Sequence, residues 1–282
     1  TALTMRTSEV EVRFYQQAAT ALAARIPRCH FADVDVDTAR FVLLLEDLSP
    51  ARQGDQMAGC TVDEAAAALD ELAMVHAPRW GDPGLRTLDW LDRRNETGLA
   101  FLEALYPGMF AGFAERYGDD LAEPVGRIGE AFFPHVGTYL RLEAPVRTIQ
   151  HADFRVDNLL YGADDGTRIA VVDWQTVALG PGAADVAYFL GGSVEVDDRR
   201  ANEKDLLRHY LDHLQALGAD GYEFDELWED YRRYAFAGLV MAVGAAMTVA
   251  RTDRGDDMFL AMARRAAAHA EDLDALGLLV GA

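Results

Sequence analysis

Two aspartates and an asparagine stand at a spacing that suits catalysis with a metal ion. Asp153 and Asn158 lie in the segment His151-Ala-Asp-Phe-Arg-Val-Asp-Asn, and Asp173 ends the apolar run Ile169-Ala-Val-Val. Carboxylate and amide oxygens are ligands of Mg²⁺, and a carboxylate can accept the proton of an attacking hydroxyl group. In phosphoryl transfer, an aspartate base precedes an asparagine and an aspartate that hold Mg²⁺ against the ATP phosphates. The sequence therefore predicts Asp153 as the base, Asn158 and Asp173 as metal ligands, and ATP and Mg²⁺ as cofactors.

Histidines of this chain could form two other kinds of site, a hydrolase metal site and a zinc site. Each short motif above also occurs by chance, because capped turns use the same residue types. A metal-dependent hydrolase with His151, Asp153 and Asp173 as ligands is the alternative, although no second cluster stands out in a comparable loop. His209 and His213 share one helical face and could bind zinc, but no third ligand accompanies them, which favours solvent-facing histidines.

A small β region positions the three candidate residues. Apolar runs at residues 146–150, 158–161 and 168–172 predict strands, with a hairpin turn at residues 162–166. Asp153 and Asn158 then occupy the loop between the first two strands, and Asp173 follows the third. The candidate base and the candidate metal ligands are thus expected at neighbouring strand ends.

The N-terminal part is predicted to be one helix and one hairpin. Apolar residues recur at helical spacing over residues 8–25, and Pro27 follows as a stop. Residues 29–36 and 40–46 predict two antiparallel strands, of which residues 41–45 are expected to be buried on both faces.

The remaining chain is predicted to be helical. Thr61-Val-Asp-Glu64 forms a capping box that opens a helix through His76. Further helices are expected at residues 96–116 and 121–142, throughout the chain beyond Gly182, and as a buried core helix at residues 235–250. The order of elements predicts an α+β fold with a small lobe, a polar hinge at residues 46–59 and a large helical lobe.

The motifs carry a resemblance to a known group of enzymes. The segment from His151 to Asn158, followed by Val-Val-Asp173-Trp-Gln, resembles aminoglycoside phosphotransferases and the choline and ecdysteroid kinase-like enzymes. Leu43-Leu-Leu-Glu-Asp-Leu48 resembles their adenine-binding hinge, and residues 180–190 resemble the helix after their metal-binding strand.

This resemblance implies a bilobal protein-kinase-like fold and a phosphotransferase that acts on a small-molecule hydroxyl. It divides the chain into a partial N-terminal nucleotide-binding lobe at residues 1–48 and a C-terminal catalytic and substrate-binding lobe at residues 49–282. It further implies that His151 shapes the catalytic loop, residues 151–158, and that Asp185 braces this loop through backbone hydrogen bonds.

The resemblance also implies a nucleotide site in the N-terminal part. The backbone of Glu46, Asp47 and Leu48 would contact adenine. Glu11 matches the helix glutamate that pairs with a phosphate-binding lysine, although Ser8-x-x-Glu11 is also a capping-box pattern.

A glycine-rich loop and the phosphate-binding lysine do not occur ahead of Glu11. Lys204, the only lysine, lies downstream of the catalytic loop. Either a segment upstream of Thr1 supplies these parts, or the chain is a degenerate pseudokinase that binds nucleotide without catalysis. The first explanation is favoured, because a chain that opens in mid-lobe would expose the apolar side of its hairpin.

Composition limits the kinds of partner that this chain is expected to bind. The net charge of -21 argues against a nucleic-acid groove, and an acidic surface is better explained by solubility than by substrate steering. The apolar run at residues 235–250 is too short to span a membrane, and two cysteines without zinc or redox spacing favour a reduced, cytoplasmic compartment. An acidic pocket in the helical lobe would suit an amino sugar, a choline-like molecule or a neutral alcohol.

Overall fold

The computed structural model describes residues 6–163 and 168–281 and begins with a helix that packs on a two-stranded sheet. Helix α1 (Thr7–Gln17) is followed by strands β1 (Cys29–Asp35) and β2 (Arg40–Leu45), which pair antiparallel as predicted. The helix is shorter than the predicted span of residues 8–25. The Ser8-x-x-Glu11 capping box is wrong, because Arg6 is the N-cap residue and no side chain caps the helix.

The hairpin buries only one of its faces. Val42 and Leu44 are 48% and 57% exposed, whereas Leu43 and Leu45, which point to the other face, pack partly against the core. The prediction that residues 41–45 are buried on both faces is therefore wrong. Alternate residues of a strand point to opposite faces, and only the face toward α1 is covered by other described residues.

A second sheet carries the candidate catalytic residues at its strand ends. Strand β3 (Arg52–Gln53) pairs with β5 (Leu159–Ala163), which pairs with β6 (Arg168–Val171), all antiparallel. The polar stretch predicted as a hinge, residues 46–59, thus contributes one short strand. Residues 164–166 of the predicted turn lie outside the described residues.

A third pair of strands flanks the loop that contains Asp153. Strand β4 (Thr148–Gln150) pairs antiparallel with β7 (Ala178–Gly180), an element that hydrophobic periodicity did not reveal because it has only three residues. The segment that follows Asp173 is thereby held beside the segment that precedes Asp153.

The first helices largely match the sequence pattern. Helix α2 (Val62–His76) begins with the predicted Thr61–Glu64 capping box, and α3 (Glu96–Tyr117) covers the next predicted span. The expected helix at residues 121–142 is wrong as one element. It consists of α4 (Glu123–Phe132), a 3₁₀ turn with Pro134, and α5 (Val136–Leu140), since proline cannot donate to the helical ladder.

The chain beyond Gly182 is helical, as predicted. A buried helix, α6 (Gly182–Ser193), lies at the centre, and every residue of it is buried. The others are α7 (Val196–Ala216), α8 (Phe224–Arg233), α9 (Ala237–Thr248), α10 (Asp253–Asp272) and α11 (Ala275–Val280). None of the helices in the described ranges combines the length and apolarity that crossing a membrane requires.

Candidate active site

Asp153 lies in the loop between β4 and β5, and three side chains fix its carboxylate. The Tyr188 hydroxyl, which projects from the buried helix α6, donates to Asp153 Oδ1 at 2.7 Å. Asn158 Nδ2 donates to Asp153 Oδ2 at 3.2 Å, and Arg155 Nε lies 3.3 Å from Oδ1. A carboxylate held on several sides presents its remaining lone pairs in a defined direction, which a general base requires.

Asn158 is oriented by its amide nitrogen. Nδ2 also donates to the main-chain oxygen of Asp153 at 2.8 Å, and the side chain is buried. Because the nitrogen is committed to Asp153, the amide oxygen is the atom that Asn158 can offer to a metal ion.

Asp173 follows β6 in a left-handed backbone conformation with φ of 67°. The strand is joined to the catalytic loop, since Val172 N donates to the Asn158 carbonyl at 3.0 Å. Burial raises the pKa of the Asp173 carboxyl, and the nearby charge of Asp153 raises it further. The Asp173 carboxylate and the Asn158 amide oxygen are donors of the kind that Mg²⁺ prefers, and a bound Mg²⁺ would relieve the repulsion between Asp173 and Asp153.

Helix α1 adds a third carboxylate to this region. Burial, followed by the charge of Asp173, raises the pKa of Glu11 to about 7. Phe14, one turn further along α1, stacks on Trp174 at a centroid distance of 4.1 Å and so docks the helix against the residue after Asp173. Within residues 6–163 and 168–281, no basic side chain forms an ion pair with Glu11.

Asp185 supports the main chain of the catalytic loop. Its carboxylate accepts hydrogen bonds from the main-chain N–H groups of His151 at 2.6 Å and Ala152 at 2.9 Å. Ala152 has a left-handed φ of 64°, which costs a residue with a Cβ atom about 1 kcal/mol or more. His76 is buried and lies 3.3 Å from Asp185 and 2.7 Å from the Tyr210 hydroxyl.

The ring of His151 is occupied by the main chain. Asp153 N–H donates to Nδ1 at 3.3 Å, so Nε2 carries the proton and donates to the Val172 carbonyl at 3.0 Å. Neither nitrogen is then open to a metal. In the described part of the chain, no group of three His, Cys, Asp or Glu side chains is arranged to hold a metal ion, which disfavours the hydrolase alternative.

His209, His213 and Lys204 make contacts between helices, outside the candidate site. His209 and His213 each contact Asp70 Oδ1 at 2.7 Å, so they join α7 to α2 instead of only facing solvent. Lys204 Nζ lies 4.7 Å from the centre of the Trp228 ring, in a cation–π contact between α7 and α8.

The predicted hinge residues form a turn held by their own hydrogen bonds. Glu46 N donates to the Arg28 carbonyl at 2.9 Å, and its carboxylate pairs with Arg25. Asp47 accepts from Ser49 N, and the Leu48 carbonyl accepts from Ala51 N, both at 2.9 Å. The adenine contacts of residues 46–48 stay a prediction, as does the division into lobes at residues 48 and 49.

Sequence reasoning missed Gln56, whose side chain also binds the main chain of the catalytic loop. Its Oε1 accepts from Val156 N and its Nε2 donates to the Gly192 carbonyl, both at 2.9 Å. Arg265 in α10 donates to the carbonyls of Gln56 at 2.8 Å and Met57 at 2.9 Å. No motif indicates these contacts, because they join segments that are far apart in the chain.

A cavity of about 410 Å³ lies beside the catalytic loop. A second cavity of about 140 Å³ continues it, and Tyr139, Gln150, Ala184 and Ala237 line both. The smaller cavity reaches Tyr188, the hydrogen-bond donor to Asp153. The expectation of an acidic pocket does not hold for the larger cavity, since its described lining contains two arginines and no carboxylate.

A sequence-based family model matches the part of the chain that contains the candidate site. The ecdysteroid kinase-like family model matches residues 96–220, which include Asp153, Asn158 and Asp173. An uncharacterized kinase-like protein of Caenorhabditis elegans is 31% identical over 87 residues, a match that covers 30% of this chain and 23% of that protein. The matched part is thus about a quarter of that relative's length.

Solved structures show a similar fold over most of the chain. An aminoglycoside 2'-phosphotransferase of type IIIa, solved as its GDP complex, superposes with a TM-score of 0.57 at 13% identity, covering 95% of this chain and 84% of that one. An ethanolamine kinase of Plasmodium vivax superposes with a TM-score of 0.54 at 12% identity, covering 92% and 70%. This chain has the protein-kinase-like fold of small-molecule phosphotransferases. The resemblance and the α+β fold predicted from the motifs are both confirmed.

Proposed function

We propose that this chain transfers the γ-phosphoryl group of ATP to a hydroxyl group of a small molecule. The observation that carries the proposal is the carboxylate of Asp153, fixed by Tyr188 and Asn158 next to a second carboxylate, Asp173, whose pKa is raised. Such a group of charges suits a site that binds Mg²⁺ with nucleotide phosphates and accepts a proton beside them.

Each residue has one role in this proposal. Asp153 accepts the proton of the acceptor hydroxyl as the oxygen attacks phosphorus. The Asn158 amide oxygen and the Asp173 carboxylate would hold Mg²⁺, which neutralises charge on the phosphates when bound. His151 and Asp185 keep the loop in position, and residues 46–48 together with Glu11 would face the nucleotide.

The similar proteins support the reaction class. They include phosphotransferases and kinases whose names specify an aminoglycoside and ethanolamine, and a choline kinase from Streptococcus pneumoniae has a TM-score of 0.50 with this chain. All of these names describe small molecules with hydroxyl groups. A cytoplasmic location is part of the proposal, since the proposed donor is ATP and the two cysteines are free.

The test is Mg²⁺-dependent release of ADP by the complete protein, measured with a panel of aminoglycosides, choline analogues and apolar alcohols. Asp153→Asn should lower turnover about 10²- to 10⁴-fold, because an amide cannot accept the proton. Asp212→Asn, on the exposed face of α7, is the matched control and should keep full activity. Equal turnover of Asp153→Asn and the control would show that the proposed base is wrong.

A nucleotide-binding pseudokinase is the second candidate. It is favoured by Glu11, which has no basic partner among the described side chains, and by the contact of Lys204 with Trp228 away from the site. A pseudokinase would be stabilised by MgATP against heat, yet release no ADP with any acceptor.

A further inference from the structure

His76, the last residue of α2, lies where four elements of the fold meet. Its side chain has no exposed surface. The ring nitrogen Nδ1 lies 2.7 Å from the Tyr210 hydroxyl of α7, and Nε2 lies 3.3 Å from Asp185 Oδ2 of α6. Thr148 Oγ1 of β4 donates to the His76 carbonyl at 2.6 Å. Both the ring and the main chain of this histidine are therefore held in place.

These contacts assign one tautomer to the His76 ring. Asp185 accepts a main-chain N–H on each carboxylate oxygen, from Ala152 on Oδ1 and from His151 on Oδ2. Because a carboxylate that accepts on both oxygens offers only lone pairs, the neighbouring His76 Nε2 must carry the proton. Nδ1 is then unprotonated and accepts from the Tyr210 hydroxyl. The ring therefore donates toward Asp185 and accepts on its other side.

Gly182 leaves room for the contact between the ring and the hydroxyl group. A Cβ atom at this position would lie 2.8 Å from His76 Nδ1 and 2.9 Å from the Tyr210 hydroxyl oxygen, closer than real Cβ atoms come to other heavy atoms. The missing side chain lets the first turn of α6, which also carries Asp185, approach the pair.

Asp185 connects the His76 ring to the proposed base. The two N–H groups that its carboxylate accepts belong to the residues immediately before Asp153, and one of them, Ala152, has the left-handed backbone conformation. Rotation of the carboxylate would break one of these two bonds. The Nε2–H donor of His76 opposes that rotation, as outer hydrogen-bond partners orient functional groups in other sites.

We propose that His76 is a positioning residue for the catalytic loop. Its Nε2–H group holds the Asp185 carboxylate in the orientation that places Asp153 to accept the proton of the acceptor hydroxyl. His76 itself contacts neither the acceptor nor the nucleotide. The inference rests on the proposed phosphoryl transfer and adds one residue to it, which makes the geometry of the loop depend on α2 and α7.

Two amide variants of His76 separate the two ring contacts. The amide nitrogen of glutamine can occupy the position of Nε2, whereas the shorter asparagine side chain reaches only the position of Nδ1. His76→Gln therefore keeps a donor to Asp185, and His76→Asn keeps only the contact with Tyr210. Because both variants replace the ring by a smaller amide, a purely structural role of the ring would affect both in the same direction.

The first measurement is Mg²⁺-dependent release of ADP by the full chain. The kcat of His76→Asn should be about tenfold or more below that of His76→Gln, while the KM for ATP differs by less than about twofold. His135→Asn, which changes an exposed histidine outside the site, is the control and should behave as the wild type. Equal kcat values for the two His76 variants, or a lower value for His76→Gln, would overturn the inference.

Amide hydrogen exchange tests the positioning without turnover. The N–H groups of His151 and Ala152 should exchange about tenfold faster in His76→Asn than in His76→Gln, because their acceptor is no longer held. Nitrogen-15 NMR of the wild-type ring needs no variant and therefore applies even if His76→Asn does not fold. The proton is expected on Nε2, and a proton on Nδ1 would contradict the inference.

Turnover and exchange together separate this inference from the proposed function. If the wild type releases no ADP with any acceptor, the phosphotransferase proposal fails, and the role of His76 in catalysis falls with it whatever the exchange rates show. If the wild type is active and the two His76 variants match each other in both kcat and exchange, the function stands and the positioning role is wrong.

Discussion

The Asp185 side chain has no solvent-exposed surface, and the main chain of the catalytic loop uses both of its carboxylate oxygens. Asp185 stabilises the left-handed conformation of Ala152, and His76 lies 3.3 Å from the Asp185 carboxylate. The loop therefore depends on one charged group that does not contact the proposed reacting atoms.

Replacement of Asp185 by asparagine keeps the shape but puts an amide nitrogen where an acceptor is needed. We expect Asp185→Asn to lower the free energy of unfolding by about 3 kcal/mol, because a buried N–H group loses its charged partner. Urea unfolding measures this change. Asp212→Asn, on an exposed helix face, should change the free energy by no more than about 0.5 kcal/mol. Equal losses in the two variants would contradict the bracing role.

The candidate site could be anticipated at this scale where its residues share one loop or belong to a recognisable motif. Asp153 and Asn158 share one loop, and the Asn158 amide does bond to Asp153 in the structure. Tyr188 and Gln56 were not anticipated, because each reaches the loop from a separate element and a single tyrosine or glutamine forms no pattern.

Among the elements, the segment at residues 49–59 shows how the catalytic loop is tied to the helices. The segment supplies β3 and Gln56 to the sheet that carries the loop. Arg265 of α10 binds the carbonyls of Gln56, Met57 and Gly192 and pairs with Glu195. A buried guanidinium group thus joins a polar stretch, predicted as a hinge, to the helical part.

Two neighbouring arginines of α10 test this connection. Arg265→Gln should lower the free energy of unfolding by about 3 kcal/mol, since several buried carbonyls and one carboxylate lose their donor. Arg264→Gln removes an exposed contact with the same Glu195 and should cost less than about 1 kcal/mol. Both values come from urea titration. Similar costs for the two variants would show that the buried contacts are not important.

The elements with strong periodicity or a cap were predicted well, and the others were not. The Thr61–Glu64 capping box located the start of α2, whereas Pro134 divided a run that read as one helix. The apolar residues 41–45 could not reveal that one hairpin face is exposed, because burial depends on what packs on the strand and not on the strand itself.

For the molecule as a whole, net charge was a poor guide to the cavity. The acidic excess is distributed over the surface, while the described lining of the larger cavity carries two arginines. Composition averages over every position, so it excludes classes of partner but cannot describe one pocket.

Global stability should depend on pH through buried His269. Burial, and then the charge of Arg199, lowers its pKa well below the ordinary value. The folded chain keeps it neutral while the unfolded chain binds a proton below about pH 6.5, so its stabilising contribution is lost as pH falls. Glu11 acts oppositely, because its pKa is raised to about 7 and folding then favours its protonated form as pH falls.

Since these effects oppose each other, the difference between variants is informative. Relative to wild type, His269→Leu should gain up to about 1.4 kcal/mol of unfolding free energy per pH unit below about pH 6.5. Exposed His135 provides the control variant, His135→Leu, which should follow the wild-type curve. Urea titrations across this pH range measure both, and parallel curves for His269→Leu and wild type would contradict the assignment.

The central claim is transfer of the γ-phosphoryl group to a hydroxyl group, and phosphorus-31 NMR tests it most directly. The complete protein is followed with ATP, Mg²⁺ and the panel of aminoglycosides, choline analogues and apolar alcohols. We predict a phosphate monoester signal that grows in step with ADP and is absent with Asp153→Asn or Asp173→Asn. Formation of inorganic phosphate alone, or monoester formation that persists in Asp153→Asn, would contradict the claim.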